Sequence, residues 1–269
     1  MRLLSGCLFS GLMLLSSSLA LASPPRHIKF RPVSSHISNM VHSKIPLSHA
    51  PGVVVLMYHH ISPKENSMDV LPAHFAAQMQ YLHDNGFRVI SSAELVHAIQ
   101  TRHPLPAKSI VLTFDDGWSS QVYAMSVLDK YHFPATFALI TMFLDRPHKA
   151  YISILNVHHY AADDFLYVNH SHSHELRDFY RHPDKDVPLS VQEIRRFGTP
   201  FVPFYVYPYG LFTPRLRSDI RQAGYVAAFG VWDMPVDVRT VDIYNINRFL
   251  VTDKAVSFSE FVKIVNKSD

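Results

Sequence analysis

Residues 109–117 read Ser109-Ile110-Val111-Leu112-Thr113-Phe114-Asp115-Asp116-Gly117. The apolar run from Ile110 to Phe114 has the length and composition of a β-strand, and it stops abruptly on two carboxylates and a glycine. Val53-Val54-Val55-Leu56-Met57-Tyr58 is a second such run, short and apolar on both faces, as a strand buried in a helix-covered parallel sheet must be. Between the two runs, Phe75, Met79 and Leu82 mark one face of a helix that stops near Asn85-Gly86. Residues 87–90 then read as a strand, and Ser92 with Glu94 opens a helix that is apolar at Leu95, Ala98 and Ile99. Downstream, strands are predicted over 135–140, 165–168, 202–207 and 225–229. Helices are predicted over 122–131, 191–197, 216–223 and 258–265. Strands alternating with helices predict one α/β domain, a (β/α) barrel of seven or eight mostly parallel strands. In such a fold the chemistry collects at the C-terminal ends of the strands.

The chain has 269 residues, 48% of them hydrophobic and 17% charged, enough for one sizeable core. Its formal charge is +3 and its Lys and Arg residues are scattered, so it lacks the basic stripe of a nucleic-acid binder. Residues 1–22 read as a signal peptide. Arg2 begins it, an apolar stretch runs from Leu8 to Leu15, and Ala20-Leu21-Ala22 places cleavage before Ser23. The stretch is too short and Ser-broken for a membrane span, so export to the periplasm or cell surface is expected, with no transmembrane segment in the mature chain. Cys7 is the sole cysteine, so the processed protein would need no disulfide. Residues 23–50, rich in Ser, Pro and His, read as a linker ahead of a domain over 51–269.

Four strand ends carry side chains that could do chemistry. Asp115 and Asp116 repel each other and are costly to bury unpaired; a cation bound by one, with the other beside it as a base, accounts for both. Asp-Gly is equally a turn dipeptide. Asn169-His170-Ser171-His172-Ser173-His174 sets His170 and His174 four apart, a spacing that suits two zinc ligands, although a His-rich polar loop reads the same way. His172, midway between them and so on the other side of a helical turn, is an exposed or supporting residue. Tyr207-Pro208-Tyr209-Gly210 can turn a backbone N–H into the barrel mouth to stabilise an oxyanion, or can be an aromatic strand end packed on its neighbours. Tyr58-His59-His60 offers a general acid or a structural histidine.

Taken in order, Thr113-Phe114-Asp115-Asp116-Gly117, His170-Ser171-His172-Ser173-His174 and Tyr207-Pro208-Tyr209-Gly210 resemble the polysaccharide deacetylases of carbohydrate esterase family four. The resemblance covers about 53–265 and implies a distorted (β/α) barrel. It implies Asp115 as catalytic base, and Asp116, His170 and His174 as ligands of a divalent metal, zinc first, with cobalt or nickel admissible. Tyr209 matches the position whose backbone N–H contributes to the oxyanion hole. Two departures stand out. Many members carry Arg at the position of Val206, where it braces the base; here Arg248, in Asn247-Arg248-Phe249-Leu250, is the candidate substitute. The late Leu-x-His motif of the general acid is also absent. In the branch acting on poly-β-1,6-N-acetylglucosamine that motif is moved to the start of the domain, and Leu56-Met57-Tyr58-His59 is similar to it, which makes His59 the acid, oriented by Asp233 or Asp237. The Phe75-x-x-Gln78-Met79 stretch resembles the same branch.

The resemblance therefore implies a metal-dependent N-deacetylase of an amino-sugar polysaccharide associated with biofilm. Substrate contacts are expected at Tyr207, Pro208 and Trp232, with Trp118 and Tyr209 as further rings that could stack on sugars. Peptidoglycan or chitin is the competing substrate, and an inactive carbohydrate-binding homologue the competing class. An iron oxygenase shares the two-His, one-carboxylate ligand set but places it as His-x-Asp followed by a distant His, an arrangement absent here.

Overall fold

The structure, a computed structural model, describes residues 52–63, 67–145, 149–160, 164–197 and 201–269. The expected signal peptide and linker lie outside the described residues. Among those described, no helix is long and apolar enough to cross a membrane.

The chain alternates as its apolar runs predict. Strand β1 (Val54–Tyr58) leads to two short strands, β2 (His60–Ile61) and β3 (Asp69–Val70), which pair with each other. There follow α1 (Pro72–Asp84), β4 (Arg88–Ile90), α2 (Ser92–Thr101), β5 (Ser109–Phe114), α3 (Gln121–Tyr131) and β6 (Ala135–Leu139). The second half comprises α4 (Ile154–His159), β7 (Phe165–Asn169), α5 (Pro183–Phe197), β8 (Phe201–Val206), α6 (Pro214–Gln222), β9 (Ala227–Phe229), β10 (Phe249–Leu250) and α7 (Phe258–Val265). The main sheet is parallel, in the order β10-β1-β5-β6-β7-β8-β9, with β4 also paired to β5. Its two edges approach through one segment: Ile246 bridges Phe229 in parallel, and three residues later β10 pairs with β1. The result is a curled, distorted (β/α) barrel.

Side-chain alternation divides the sheet between two faces. Val55, Val111, Ala138, Val168, Phe204, Val206, Ala227 and Phe229 form one cluster on the concave face, joined by the apolar side of α2. On the opposite face Leu56, Leu112, Phe137 and Tyr167 pack with Phe75 and Met79 of α1, Leu128 of α3 and Phe261 of α7. Three of these outer residues fix the strand register. Tyr58 pairs with Phe114 and Phe114 with Phe137, and their rings stack at 5.3 and 4.8 Å. Each such pair adds about 0.5–1.5 kcal/mol beyond area burial. A one-residue slip would break both stacks and invert the faces. Since Tyr58 and Phe114 end their strands pointing outward, the next residues, His59 and Asp115, turn to the concave side.

Several boundaries differ from the sequence reading. Helix α2 is capped one residue earlier than expected, by Ser91, whose hydroxyl accepts the Glu94 N–H at 3.1 Å. Ser92 is instead buried against Thr136. Helix α5 begins at Pro183, eight residues before the predicted start, and runs through Pro188. Pro188 removes one helical N–H at an exposed position, while Asp186, Val187 and Ser190 face inward. Strand β8 contains Pro203, and the pairing of β7 with β8 shifts register between Tyr167 and Asn169. A bulge is where a sheet tolerates proline, and this one re-aims the strand end that follows.

Candidate active site

The pocket lies at the C-terminal ends of β1, β5, β7 and β8 and encloses ≈ 560 Å3, with His59, Asp115, Asp116, His170, His174 and Tyr209 among its lining residues. Three of its non-glycine residues adopt left-handed backbone, Asp116 (φ 71), His174 (φ 64) and Tyr209 (φ 57), as does Ser171 (φ 67) next to His170. Each costs about 1–2 kcal/mol in a non-glycine residue, and such strain persists only where the surroundings over-determine it. Gly117 follows at φ +76, and a Cβ there would meet Leu139 Cδ2 at 2.7 Å, so both backbone and space require glycine.

The two aspartates receive opposite treatment. Asp115 is buried and faces the guanidinium of Arg248, which donates from Nη1 to Oδ1 at 2.7 Å and from Nη2 to Oδ2 at 2.8 Å. Arg248 is itself fully buried, its Nε donating to the Gly230 carbonyl at 2.8 Å and Nη1 also reaching Thr113 Oγ1 at 3.2 Å. Burial would raise the Asp115 pKa, but Arg248, with help from His170 and His59, outweighs it and holds the carboxyl below its usual range. The candidate brace for the base is thus supplied from the segment that closes the sheet, and Val206 plays another part. Its carbonyl accepts from His170 Nδ1 at 2.9 Å. A carbonyl only accepts, so Nδ1 carries a proton and Nε2 is turned toward Asp116.

Asp116, His170 and His174 each bring one ligand atom within 4.8 Å of the others. Asp116 Oδ1 lies 3.4 Å from His170 Nε2 and 3.3 Å from His174 Nε2, and is buried without a hydrogen-bond partner. An orphaned carboxylate oxygen facing two imidazole nitrogens fits a divalent cation of the zinc class. Burial, which would raise the Asp116 pKa, is overcome by His170, His59 and His174, and the carboxyl sits well below its usual range. Burial lowers His170 too, yet Asp116 and Asp115 raise it more, whereas burial and the neighbouring His170 push His174 down to about 4.

The histidine loop is held from behind by a residue for which the sequence carries no motif. Asp186 of α5, fully buried, accepts the backbone N–H of His172 at 3.1 Å and of Ser173 at 3.3 Å. Ser171 Oγ accepts the His174 N–H at 2.9 Å. His172 points away from the pocket, its Nδ1 3.2 Å from Thr141 Oγ1.

His59 lines the pocket, and burial lowers its pKa against the pull of Asp115 and Asp116. Its Nδ1 is buried with no hydrogen-bond partner, so neither Asp233 nor Asp237 orients it as expected. Asp237 is engaged by Arg239, and Asp233 is exposed. Tyr209 flanks the opening with its ring 4.6 Å from that of His174. Tyr207, expected to touch substrate, is wholly buried on the outer face and stacks on Phe212 at 4.9 Å, because strand alternation turns it away from the pocket. Pro208 is also buried, and Trp232 is 58% exposed; neither is among the pocket-lining residues.

Residues 102–228 match the family model described as polysaccharide deacetylase. These residues carry a polysaccharide deacetylase domain. The match spans the aspartate pair, the two histidines that face Asp116 and the Tyr207–Gly210 turn, while His59 and Arg248 lie outside it. The poly-β-1,6-N-acetyl-D-glucosamine N-deacetylase of Escherichia coli K12 is 30% identical over 100 residues, which are 36% of this chain and 15% of that protein. The chain therefore spans far less than the full length of this curated relative. Among solved structures, IcaB from Ammonifex degensii shares the fold with a TM-score of 0.70 at 24% identity, covering 80% of this chain and 97% of that one. A de-N-acetylase from Aggregatibacter actinomycetemcomitans gives 0.67 at 18%, covering 79% and 99%. The fold is thus common to this chain and to these two solved structures.

Proposed function

We propose that this protein is an exported, metal-dependent N-deacetylase of an amino-sugar polysaccharide, with poly-β-1,6-N-acetyl-D-glucosamine as substrate. The observation that carries the reading is the unequal pairing of adjacent aspartates, Asp115 on a buried guanidinium and Asp116 on two imidazoles. A turn needs no such division. A cation held by Asp116, His170 and His174 would polarise the acetamide carbonyl and acidify a water molecule. Asp115, kept ionised by Arg248, takes the proton of the attacking water. The backbone N–H of Tyr209, in its left-handed turn, serves the developing oxyanion. His59 protonates the departing amine, acid and base standing side by side at the ends of the adjacent strands β1 and β5.

The β-1,6 substrate is favoured over chitin or peptidoglycan by the position of His59, at the end of the first strand of the domain and in the same pocket as Asp115. The buried Arg248–Asp115 pair argues against an inactive binding homologue, since a bound, ionised base is of no use to simple recognition. Acetate release from β-1,6-linked N-acetylglucosamine oligomers, with chitin and peptidoglycan fragments alongside, tests the reading. Metal-dependent release from the first, lost in Asp115→Asn and His59→Ala, is expected. Release from the other polymers alone sinks the substrate assignment; none from any, by folded metal-loaded protein, sinks the enzymatic one.

A further inference from the structure

Trp118 stands two residues beyond Asp116 and contributes to the pocket wall. An indole in that place reads first as a platform for a sugar ring. The stacking around it removes that role. His60 covers one face at a centroid distance of 4.0 Å and 26°, and Tyr151 lies against Trp118 at 4.5 Å and 22°. Tyr151 in turn stacks on Phe143 at 4.0 Å and 8°. The four rings form a ladder, and the backbone stitches it in place: Trp118 and Tyr151 form an antiparallel bridge, Ile152 N–H donates to the Gly117 carbonyl at 2.7 Å and Ser119 N–H to Ala150 at 2.8 Å. With its ring held in the ladder, what Trp118 presents to the site is its N–H.

That N–H donates to Asp116 Oδ2 at 2.8 Å. The carboxylate is therefore divided. One oxygen accepts the indole N–H, and the other, buried and unpartnered, faces His170 and His174. A free carboxylate can take a cation through either oxygen or both, whereas a hydrogen bond to one oxygen orients the group and favours coordination through the other.

We propose that Trp118 is a positioning residue for the metal site, its ladder-held N–H fixing Asp116 as a ligand through Oδ1 alone. This rests on the cation site proposed above, and the experiment separates the two. Zinc affinity of the full chain would be measured by competition with a chromophoric chelator for the parent, Trp118→Phe and Trp118→Leu. Phe keeps a ring for the ladder and loses the N–H. The expected result is zinc binding weakened at least ~10-fold in Trp118→Phe, with kcat returning to the parental value at saturating zinc and KM for the polymer unchanged. A sugar platform or plain packing residue would show the reverse, unaltered zinc affinity with raised KM or a lowered unfolding temperature, and that result overturns the proposal. Should both variants fail to fold, the chain has two tryptophans, and Trp232→Phe leaves Trp118 as the sole fluorophore. Its emission must then be quenched by one equivalent of cobalt; an unchanged emission alongside stoichiometric binding refutes contact with the site. A parental protein that binds no divalent cation overturns the cation site and this proposal together, whereas tight binding by parent and Trp118→Phe alike overturns only the latter.

Discussion

Replacing Arg248 by methionine would leave Asp115 as a carboxylate buried among apolar walls with its bidentate partner gone. Four contacts are lost: two to Asp115, one to the Gly230 carbonyl and one to Thr113, which keeps its own bond to the Leu56 carbonyl at 2.8 Å. Breaking one side of a buried pair costs about 3–5 kcal/mol, because the remaining charge is uncompensated. Against a total stability of about 5–15 kcal/mol this is severe. Asp115→Ala should cost a similar amount for the converse reason. The double variant buries neither charge, so its loss must fall short of the sum of the single losses by at least about 2 kcal/mol. Urea unfolding followed by far-ultraviolet circular dichroism, extrapolated linearly to water, measures all three. Arg248→Lys, which keeps the charge but not the planar fork, should lie between parent and methionine. Losses that add to within about 0.5 kcal/mol would refute the pair as a buried, mutually dependent unit.

Gly230→Ala places a Cβ 2.3 Å from Asn245 Oδ1, displacing the strand end whose carbonyl anchors Arg248; a loss of about 1–3 kcal/mol in thermal unfolding is expected, and parental stability would show that the loop yields freely. Asp186→Asn should weaken zinc binding about 10-fold by loosening the histidine loop, measured by chelator competition; unchanged affinity would mean the loop holds its form without the carboxylate. Chelation of the metal-loaded protein should abolish acetate release, and zinc should restore it. With free metal at 100 times its dissociation constant the loaded form should also be about 2.7 kcal/mol more stable than the stripped form; equal unfolding curves in the two states would count against a native-state cation.

The fold was legible because its strands are nearly continuous apolar runs and its helices carry period-matched faces, as Phe75, Met79 and Leu82 show on α1. Elements held by tertiary context left weaker traces. Strand β10 is two residues long, and β2 and β3 are no longer. Early α5 was hidden by Pro188, whose lost N–H costs little at an exposed position. In the site, spacing offered His170 and His174 as a ligand pair only beside the reading of a His-rich loop, and the order of the motifs, through the family resemblance, joined Asp116 to them. Arg248 left a signal as well, a lone cation inside the apolar stretch from Ile246 to Val251. Tyr207 misled because strand parity, not proximity in sequence, decides which tyrosine of Tyr207-Pro208-Tyr209 faces the pocket. Trp118, through one hydrogen bond, and Asp186, through bonds from two backbone N–H groups, act on atoms that no local pattern identifies.

The bond between Asp115 and Arg248 joins positions 133 residues apart in sequence, and Arg248 rides on the segment that brings the sheet edges together. As the chain emerges during synthesis, β1, β5 and β6 can associate long before that segment exists. Until it docks, Asp115 has no guanidinium to hold it as an ion against burial, so it must stay hydrated or carry a proton. On the proposed mechanism, the same late contact that joins the sheet edges readies Asp115 as the base, and reactivity toward an acetamide would be the last property the molecule acquires.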